Sequence, residues 1–315
     1  IATKSKKQEV MIDESLDSYS DILPTLDNKV TAFVAIMRGC SNFCSYCIVP
    51  YVRGPKRSRP HQDILKEIES LIAKGIKEIT LLGQSVNEYQ DKEINFPNLL
   101  RLIDRKDLWL KFTTSQPKNM SNELIDVMSN CQSVCEWLHL PLQSGANKIL
   151  TLMNRGYTKE QYIDWIYKAR NNIPNISITT DIMVGFPGET DADFNETLEL
   201  VKLIRFDLAY MFKYSERPKT RASFMEPKVA EKEKLDRLTE LINMQNKISY
   251  EKMCELVGTV QDVLVLGKSK DGNTLRGRTR QNKIVVLDGV ASVGEVVKVK
   301  IKSLRGWTPY GQVKS

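Results

Sequence analysis

Between Thr31 and Tyr214 a short run of β-branched and apolar residues gives way six times to a loop and then to a stretch with helical spacing. The strand-like runs are 31–37 (Thr-Ala-Phe-Val-Ala-Ile-Met), 78–83, 110–115, 137–142, 177–186 and 208–214. The first helix is expected over 62–74, where Ile64, Leu65, Ile68, Leu71 and Ile72 share one face and Gly75 ends it. Others are expected near 98–106, over 122–129 with Ser121 as cap, from Thr158 with Gln161 completing a capping box, over 191–204 and over 230–257. Parallel strands need crossover connections, usually helical, and right-handed crossovers curl such a sheet toward a barrel. The expected fold class is therefore α/β, a partial (βα)6 TIM-like barrel.

In such barrels the reacting groups gather at the C-terminal ends of the strands. The most distinctive loops here all follow strands: Gly39 to Cys47 after the first, Gly83 to Asn87 after the second, Ser115-Gln-Pro117 after the third, Gln143-Ser-Gly145 after the fourth, and Gly185 to Glu189 after the fifth. The first of these holds Cys40, Cys44 and Cys47, a C-x3-C-x2-C spacing within eight residues. Thiolates this close suit an iron–sulfur cluster. Three cysteines leave one iron of a cubane open, and an open position separates a catalytic metal centre from a closed structural one. The open iron can take an amino nitrogen and a carboxylate oxygen, both of which S-adenosylmethionine carries. A structural zinc is the rival, with His61, Cys131, Cys135 or Cys254 as the fourth ligand. Tyr46 fits stacking on an adenine or plain core packing.

Six cysteines in 315 residues are too sparse for a disulfide scaffold, and three of them cluster, which favours a metal site in a reducing compartment, here the cytoplasm. No apolar run approaches the roughly 18 residues of a membrane span, and residues 1–10 lack the apolar core of a signal peptide. The net charge of +7 is uneven. From Gly258 to Ser315 there are 11 Lys/Arg and 4 Asp/Glu, so the whole excess lies in the last fifth of the chain. Four β-rich runs in this tail (260–266, 275–280, 283–287 and 295–301), with a turn signal at Asp288-Gly289, point to a small antiparallel barrel of the oligonucleotide-binding sort. A basic module after a neutral one suggests a polyanionic partner, most simply nucleic acid.

C-x3-C-x-aromatic-C at the end of a first strand resembles the signature of the radical S-adenosylmethionine (SAM) superfamily. The runs Cys47-Ile-Val-Pro-Tyr-Val-Arg-Gly54, Arg57-Ser-Arg-Pro60, Leu82-Gly-Gln-Ser-Val-Asn87, His139 to Gly145, Met153-Asn-Arg-Gly-Tyr157 and Asp181 to Thr190 are similar to its MiaB-type tRNA methylthiotransferases. Gly277 to Val286 resembles the core of a TRAM domain, that family's RNA-binding tail. The resemblance implies residues 1–30 as a linker or remnant, 31–250 as the radical SAM domain and 251–315 as the TRAM domain.

The activity it implies is methylthiolation at C2 of N6-isopentenyladenosine next to the tRNA anticodon, an unactivated C–H that calls for a radical. One SAM would supply the methyl group, another the 5′-deoxyadenosyl radical, and the base must stand unstacked for its edge to be reached. Cys40, Cys44 and Cys47 would ligate a 4Fe-4S cluster. Tyr46, Gly83, Gln84, Asn87, Gln143, Ser144, Arg155 and Asp181 would contact SAM. Arg53, Arg57, Arg278, Arg280 and Asn282 would meet RNA, Arg278 and Arg280 lying at alternate positions on one strand face. Implied partners are the tRNA anticodon stem-loop, a sulfur source and an electron donor such as flavodoxin or ferredoxin; a monomer is expected.

Three departures stand out. The family carries an N-terminal domain with three more cysteines for a second 4Fe-4S cluster, and no cysteine precedes Cys40 here. The expectation is a fragment able to cleave SAM without completing sulfur insertion, with Cys131 and Cys135 as buried structural residues. Gln116-Pro117 stands where His-Pro is usual, and Pro218-Lys-Thr220 where Pro-Gly-Thr is usual. The rival functions are another radical SAM enzyme acting on RNA and a non-catalytic RNA-binding protein with a structural zinc.

Overall fold

The structure, a computed structural model, describes residues 30–269 and 272–314; the expected linker over 1–30 lies, but for Val30, outside the described residues. Six parallel strands follow one another: β1 (Thr31–Ala35), β2 (Glu78–Leu82), β3 (Trp109–Thr113), β4 (Trp137–His139), β5 (Ser177–Val184) and β6 (Leu208–Lys213). They form two three-stranded sheets, β1-β2-β3 and β4-β5-β6. A parallel bridge between Leu110 and Val134 joins the two, with Cys135 N–H donating to the Leu110 carbonyl at 2.9 Å. The expected partial (βα)6 barrel is what forms.

Helices α1 (His61–Ala73), α2 (Phe96–Ile103), α3 (Asn122–Asn130), α4 (Asn147–Leu152), α5 (Lys159–Asn172), α6 (Asp191–Ile204) and α7 (Glu231–Cys254) follow the strands. Val34, Ile79, Leu81, Leu110, Phe112, Ile178 and Ile182 on the strands' outer faces bury a core with Ile64, Ile68, Leu99, Leu100, Leu124 and Val201 from the helices. The opposite faces look into the barrel, where Phe33, Thr80 and Lys111 stand level in register. Ser121 caps α3, and the Thr158–Gln161 capping box opens α5; a second box, Thr190 with Asp193, opens α6. The short α4 was not expected. The run 31–37 breaks at Ile36, after which Met37–Arg38 pairs with Arg57–Ser58 and closes the base of the cysteine loop.

The tail is a closed five-stranded barrel of β7 (Val260–Lys268), β8 (Leu275–Thr279), β9 (Ile284–Asp288), β10 (Val296–Arg305) and β11 (Thr308–Val313), in the order β7-β8-β9-β11-β10. Two features correct the expected four-run antiparallel barrel. The strand β11 was not anticipated, and β9 pairs with it in parallel, the only parallel pairing in this barrel.

This small barrel docks under the larger one, at the N-terminal ends of its strands. Leu264 and Leu266 pack with Val30, Trp109 and Cys135. Lys111 donates to Glu78 at 2.6 Å, both side chains almost fully buried, and Arg278 bonds to the other Glu78 oxygen. Lys283 pairs with Asp207 at 2.9 Å.

Candidate functional site

The cysteine loop leaves the C-terminal end of β1 and is fixed from several sides. Gly39 has a φ of +72°, and any side chain there would strike the backbone of Pro55. Cys40 N–H donates to the Gly54 carbonyl at 3.2 Å, and Cys47 N–H to Cys44 at 2.9 Å. The run Met153 to Tyr157 forms the loop's back wall. Ser45 N–H donates to the Met153 carbonyl at 3.0 Å, and the Asn154 amide to the Phe43 carbonyl at 3.0 Å. Asn154 and Gly156 both have positive φ, which turns the Arg155 side chain between them inward.

All three loop cysteines are free thiols and half-buried. Arg155 is 5% exposed, and its Nη1 lies 3.3 Å from Cys44 Sγ and 3.5 Å from the Tyr46 hydroxyl. Its Nη2 donates to the Pro141 carbonyl at 3.3 Å. A buried guanidinium against a cysteine sulfur suits the negative charge that would accumulate on a thiolate-bound cluster. Asn42 adds an amide 3.4 Å from Cys40 Sγ. The Cys47 thiol is pushed up by burial first and then by the neighbouring Cys44 and Cys40.

Among the described residues no three Cys, His, Asp or Glu side chains converge as a single ion requires. A tetrahedral zinc needs its ligands at about 2.0–2.3 Å from one point, whereas a cubane takes each thiolate on a different iron. The remaining zinc candidates are elsewhere. His61 Nδ1 is bonded to Asp91 at 2.7 Å, Cys135 is buried with its thiol pushed up to about 12 by burial, and Cys254 is exposed at the end of α7. The loop fits a cluster better than an ion.

Around the same mouth lies an unmet demand for polar partners. Of eight buried side-chain polar atoms without a partner among the described residues, six lie in loops that follow strands: Ser45 Oγ, Gln84 Oε1, Ser85 Oγ, Ser115 Oγ, Gln116 Nε2 and Tyr214 Oη. Buried polar groups are normally paired, so a cluster of orphans marks where a polar ligand belongs. Gln84 was expected there; Ser45, Ser85, Ser115 and Tyr214 were not. Each is a strand-end polar residue, a signal too common in sequence to single out.

The other expected cofactor residues divide. Tyr46 is half-buried with its ring edge-on to Phe186 at 6.5 Å. Gly83 is backed by Met37, whose Cγ an added Cβ would meet at 2.5 Å. Gln143 adopts a left-handed φ of 69°, and its backbone bonds to Asp181 and Met183 hold it at the mouth. Asp181 faces the barrel interior, 3.5 Å from His139 Nε2. Two of the expected residues make their polar contacts within the chain. Asn87 gives its amide hydrogen to the Gln116 carbonyl and takes the Gln116 N–H, both at 2.8 Å, so it positions the Gln116 loop. Ser144 is fully buried, 3.4 Å from Thr197 Oγ1, and accepts the Ala146 N–H at 3.2 Å, so it pins the start of α4.

The expected RNA residues also divide. Arg53 is exposed and Arg57 half-buried, beside the cysteine loop. Phe43 and Tyr51, 50% and 53% exposed with ring centroids 6.1 Å apart, stand next to them and went unremarked in the sequence. In contrast, Arg278 and Arg280 do share one face, but that face meets the larger barrel. Arg278 bonds Glu78; Arg280 takes Glu136 at 2.8 Å and lies over the Trp109 ring; Asn282 accepts from Lys111 at 3.1 Å. These three tie the two barrels together.

Comparison with known proteins agrees with this division. Residues 34–201 match the model of the radical SAM superfamily and residues 255–314 that of the TRAM domain. The chain is 50% identical over 316 residues to the tRNA-2-methylthio-N(6)-dimethylallyladenosine synthase of Thermoanaerobacter sp. (strain X514), covering 97% of this chain and 67% of that one. The protein of the same name from Carboxydothermus hydrogenoformans is 51% identical, over 86% of this chain and 63% of its own length. The chain thus spans about two thirds of the curated relatives it matches. Among solved structures, the fold is shared with coproporphyrinogen III oxidase of Escherichia coli, a radical SAM enzyme (TM-score 0.53, 14% identity, 83% of this chain and 69% of that one). It is shared too with the radical SAM methyltransferase TsrM of Kitasatospora setae (TM-score 0.51, 18% identity, 74% and 42%).

Proposed function

Since the chain belongs to the radical SAM superfamily and, within it, to the family of tRNA-2-methylthio-N(6)-dimethylallyladenosine synthases, we propose that it cleaves SAM at its cysteine loop and presents a tRNA adenosine there for methylthiolation at C2. The observation that carries this reading is the meeting of Cys40, Cys44 and Cys47 with the buried Arg155 at a mouth lined by orphaned polar atoms.

Cys40, Cys44 and Cys47 would hold a 4Fe-4S cluster, and the chemistry that group would supply is one-electron cleavage of SAM. Arg155 and Asn42 offset the negative charge on the cysteine sulfurs. Gln84, Gln143 and Asp181, with Ser45, Ser85, Ser115 and Gln116, offer donors and acceptors for the polar groups of SAM. The half-buried Tyr46 ring offers a flat face for adenine. Arg53, Arg57, Phe43 and Tyr51 rim the mouth, where cations and exposed rings suit the phosphates and unstacked bases of an RNA loop. The electron comes from a flavodoxin- or ferredoxin-like donor and sulfur from a separate source; the protein acts as a monomer. The half-buried free thiols suit a reducing cytoplasm, and no helix among the described residues is long and apolar enough to cross a membrane.

The test is anaerobic reconstitution. About four irons and four sulfides per chain are expected, with 5′-deoxyadenosine released on adding SAM and a reductant. Cys44→Ala should abolish both. Full 5′-deoxyadenosine yield from Cys44→Ala, or retained zinc without iron, would end the reading.

A further inference from the structure

One loop cysteine is tied, through a single amide, to a carboxylate outside the ligand set. Glu88 ends the short helical turn Val86–Glu88 that follows β2, and its side chain is 11% exposed. One of its oxygens accepts from the Asn119 amide at 2.6 Å and the other from the Asn42 amide at 3.2 Å. The same Asn42 nitrogen stands 3.4 Å from Cys40 Sγ. An amide nitrogen carries two hydrogens, so Asn42 gives one to the sulfur and one to Glu88. Asn42 is itself buried, and its backbone carbonyl accepts from the Asn154 amide at 3.3 Å. Glu88 thus joins the loops that follow β1, β2 and β3. A neutral side chain could make the same ties, whereas a carboxylate adds a desolvation cost and a charge. The cation paired with it, Lys118, stands 4.0 Å away and is 32% exposed.

The geometry points to Glu88 as a positioning residue for the electron transfer to SAM. It fixes the Asn42 amide on Cys40 Sγ, and its negative charge makes the reduced centre a stronger reductant. The inference rests on the cluster reading above and adds which side chain sets the potential. The two hydrogen bonds keep the carboxylate within about 7 Å of the sulfur, inside the roughly 8 Å Debye length of physiological salt. Both groups are largely shielded from water, so screening is weak. A fixed anion opposes the arrival of an electron and lowers the potential, while the hydrogen bond from Asn42 to sulfur raises it. At an effective dielectric near 20, a unit charge about 7 Å away shifts an equilibrium by up to roughly 50-fold. The greater distance to the irons and the pairing with Lys118 bring this to roughly three- to tenfold. Cys44, by contrast, has the Arg155 guanidinium against it. The two cysteines therefore carry neighbours of opposite charge.

Wild type, Glu88→Gln, Lys118→Met and Asn42→Ala are reconstituted anaerobically, and cluster reduction is followed by electron paramagnetic resonance at set potentials without SAM. At a fixed potential the reduced-to-oxidised ratio should rise roughly three- to tenfold in Glu88→Gln, which is about 28–59 mV for a one-electron couple. It should fall in Lys118→Met, which leaves the carboxylate less compensated, and in Asn42→Ala, which loses the hydrogen bond to sulfur. A purely structural Glu88 would act only by letting Asn42 go, so Glu88→Gln would then fall with Asn42→Ala. That result, or an unchanged ratio in Glu88→Gln, would overturn the inference. Should Glu88→Gln fail to assemble a cluster, Lys118→Met decides, and a ratio at or above wild type would overturn it. Failure of wild type to take up about four irons would defeat the cluster reading and this inference together.

Discussion

Removing one charge at the buried junction of the two barrels should have a large effect, because little there can replace it. Glu78 is bonded through one oxygen to Lys111 and through the other to Arg278; the Glu78 and Lys111 side chains are 2% and 1% exposed. In Glu78→Gln the Lys111 ammonium keeps only Asn282 Oδ1, at 3.1 Å, and the new amide oxygen as acceptors. Stranding one member of a buried pair costs about 3–5 kcal/mol. The retained amide oxygen puts the loss at the lower end, about 3 kcal/mol, or roughly 6–12 °C in Tm for a unit of this size. Glu123→Gln at the exposed pair with Arg101 (side chains 46% and 41% exposed) should lose under about 1 kcal/mol. The loss should also depend on pH. Burial already holds the Lys111 pKa below its ordinary 10.5, against the pull of Glu78, and removing that carboxylate lowers it further. Between the depressed folded value and 10.5 the unfolded chain binds more protons than the folded one. Stability therefore rises with pH through that window, and the variant's deficit narrows as pH 10.5 is approached. Urea unfolding followed by circular dichroism at several pH values measures this. A deficit under about 1 kcal/mol at pH 7, or one that widens on raising the pH, would refute the argument. Glu78→Met/Lys111→Met should recover much of the loss, since it removes the fully buried ammonium too and leaves only the partly exposed Arg278 without its carboxylate.

Two further outcomes follow from the site and one from the fold. Arg155→Met removes the cation beside Cys44 Sγ, so the reconstituted cluster should show a midpoint potential lower by roughly tens of millivolts and faster iron loss in air, read by spectroelectrochemistry and iron assay. Asn87→Ala breaks both bonds to the Gln116 backbone and should lose about 2 kcal/mol by urea denaturation, with weaker SAM binding in calorimetry. Burial alone would raise the Asp104 carboxyl, but hydrogen bonds from Ser133 hold it below its ordinary 3.8, so it stabilises the fold above that value and the contribution is lost as pH falls through the depressed folded value. Asp104→Asn should flatten that part of the acid-unfolding curve.

Patterns that act over a few residues were legible in the sequence. The strand runs, the Ser121 cap, the Thr158–Gln161 box and the cysteine spacing each depend on neighbours within about a turn or a loop. The strand β11 was not legible because Pro309 and Gly311 read as breakers. In the fold Gly311 is required: a Cβ there would meet Val299 Cγ1 at 2.5 Å, where β11 crosses β10 to close the barrel. Arg155 carried only a weak signal, because the contact that gives it meaning, Cys44, lies 111 positions away and is reached through two consecutive reversals at Asn154 and Gly156.

The arginines of β8 show where such reading stops. Strand parity put Arg278 and Arg280 on one side; β8 ends at Thr279, but both side chains do reach carboxylates of the larger barrel. Parity says which side chains share a face; it does not say whether water, RNA or another part of the chain lies against it. Composition had favoured RNA, because the tail holds all the excess positive charge. The larger barrel, close to neutral overall, nonetheless presents Glu78, Glu136 and Asp207 at the N-terminal ends of alternate strands, and these carboxylates take three of the tail's cations. Net charge suggested the kind of partner, and only the docking of the two barrels reveals which of the tail's charges the chain itself takes up.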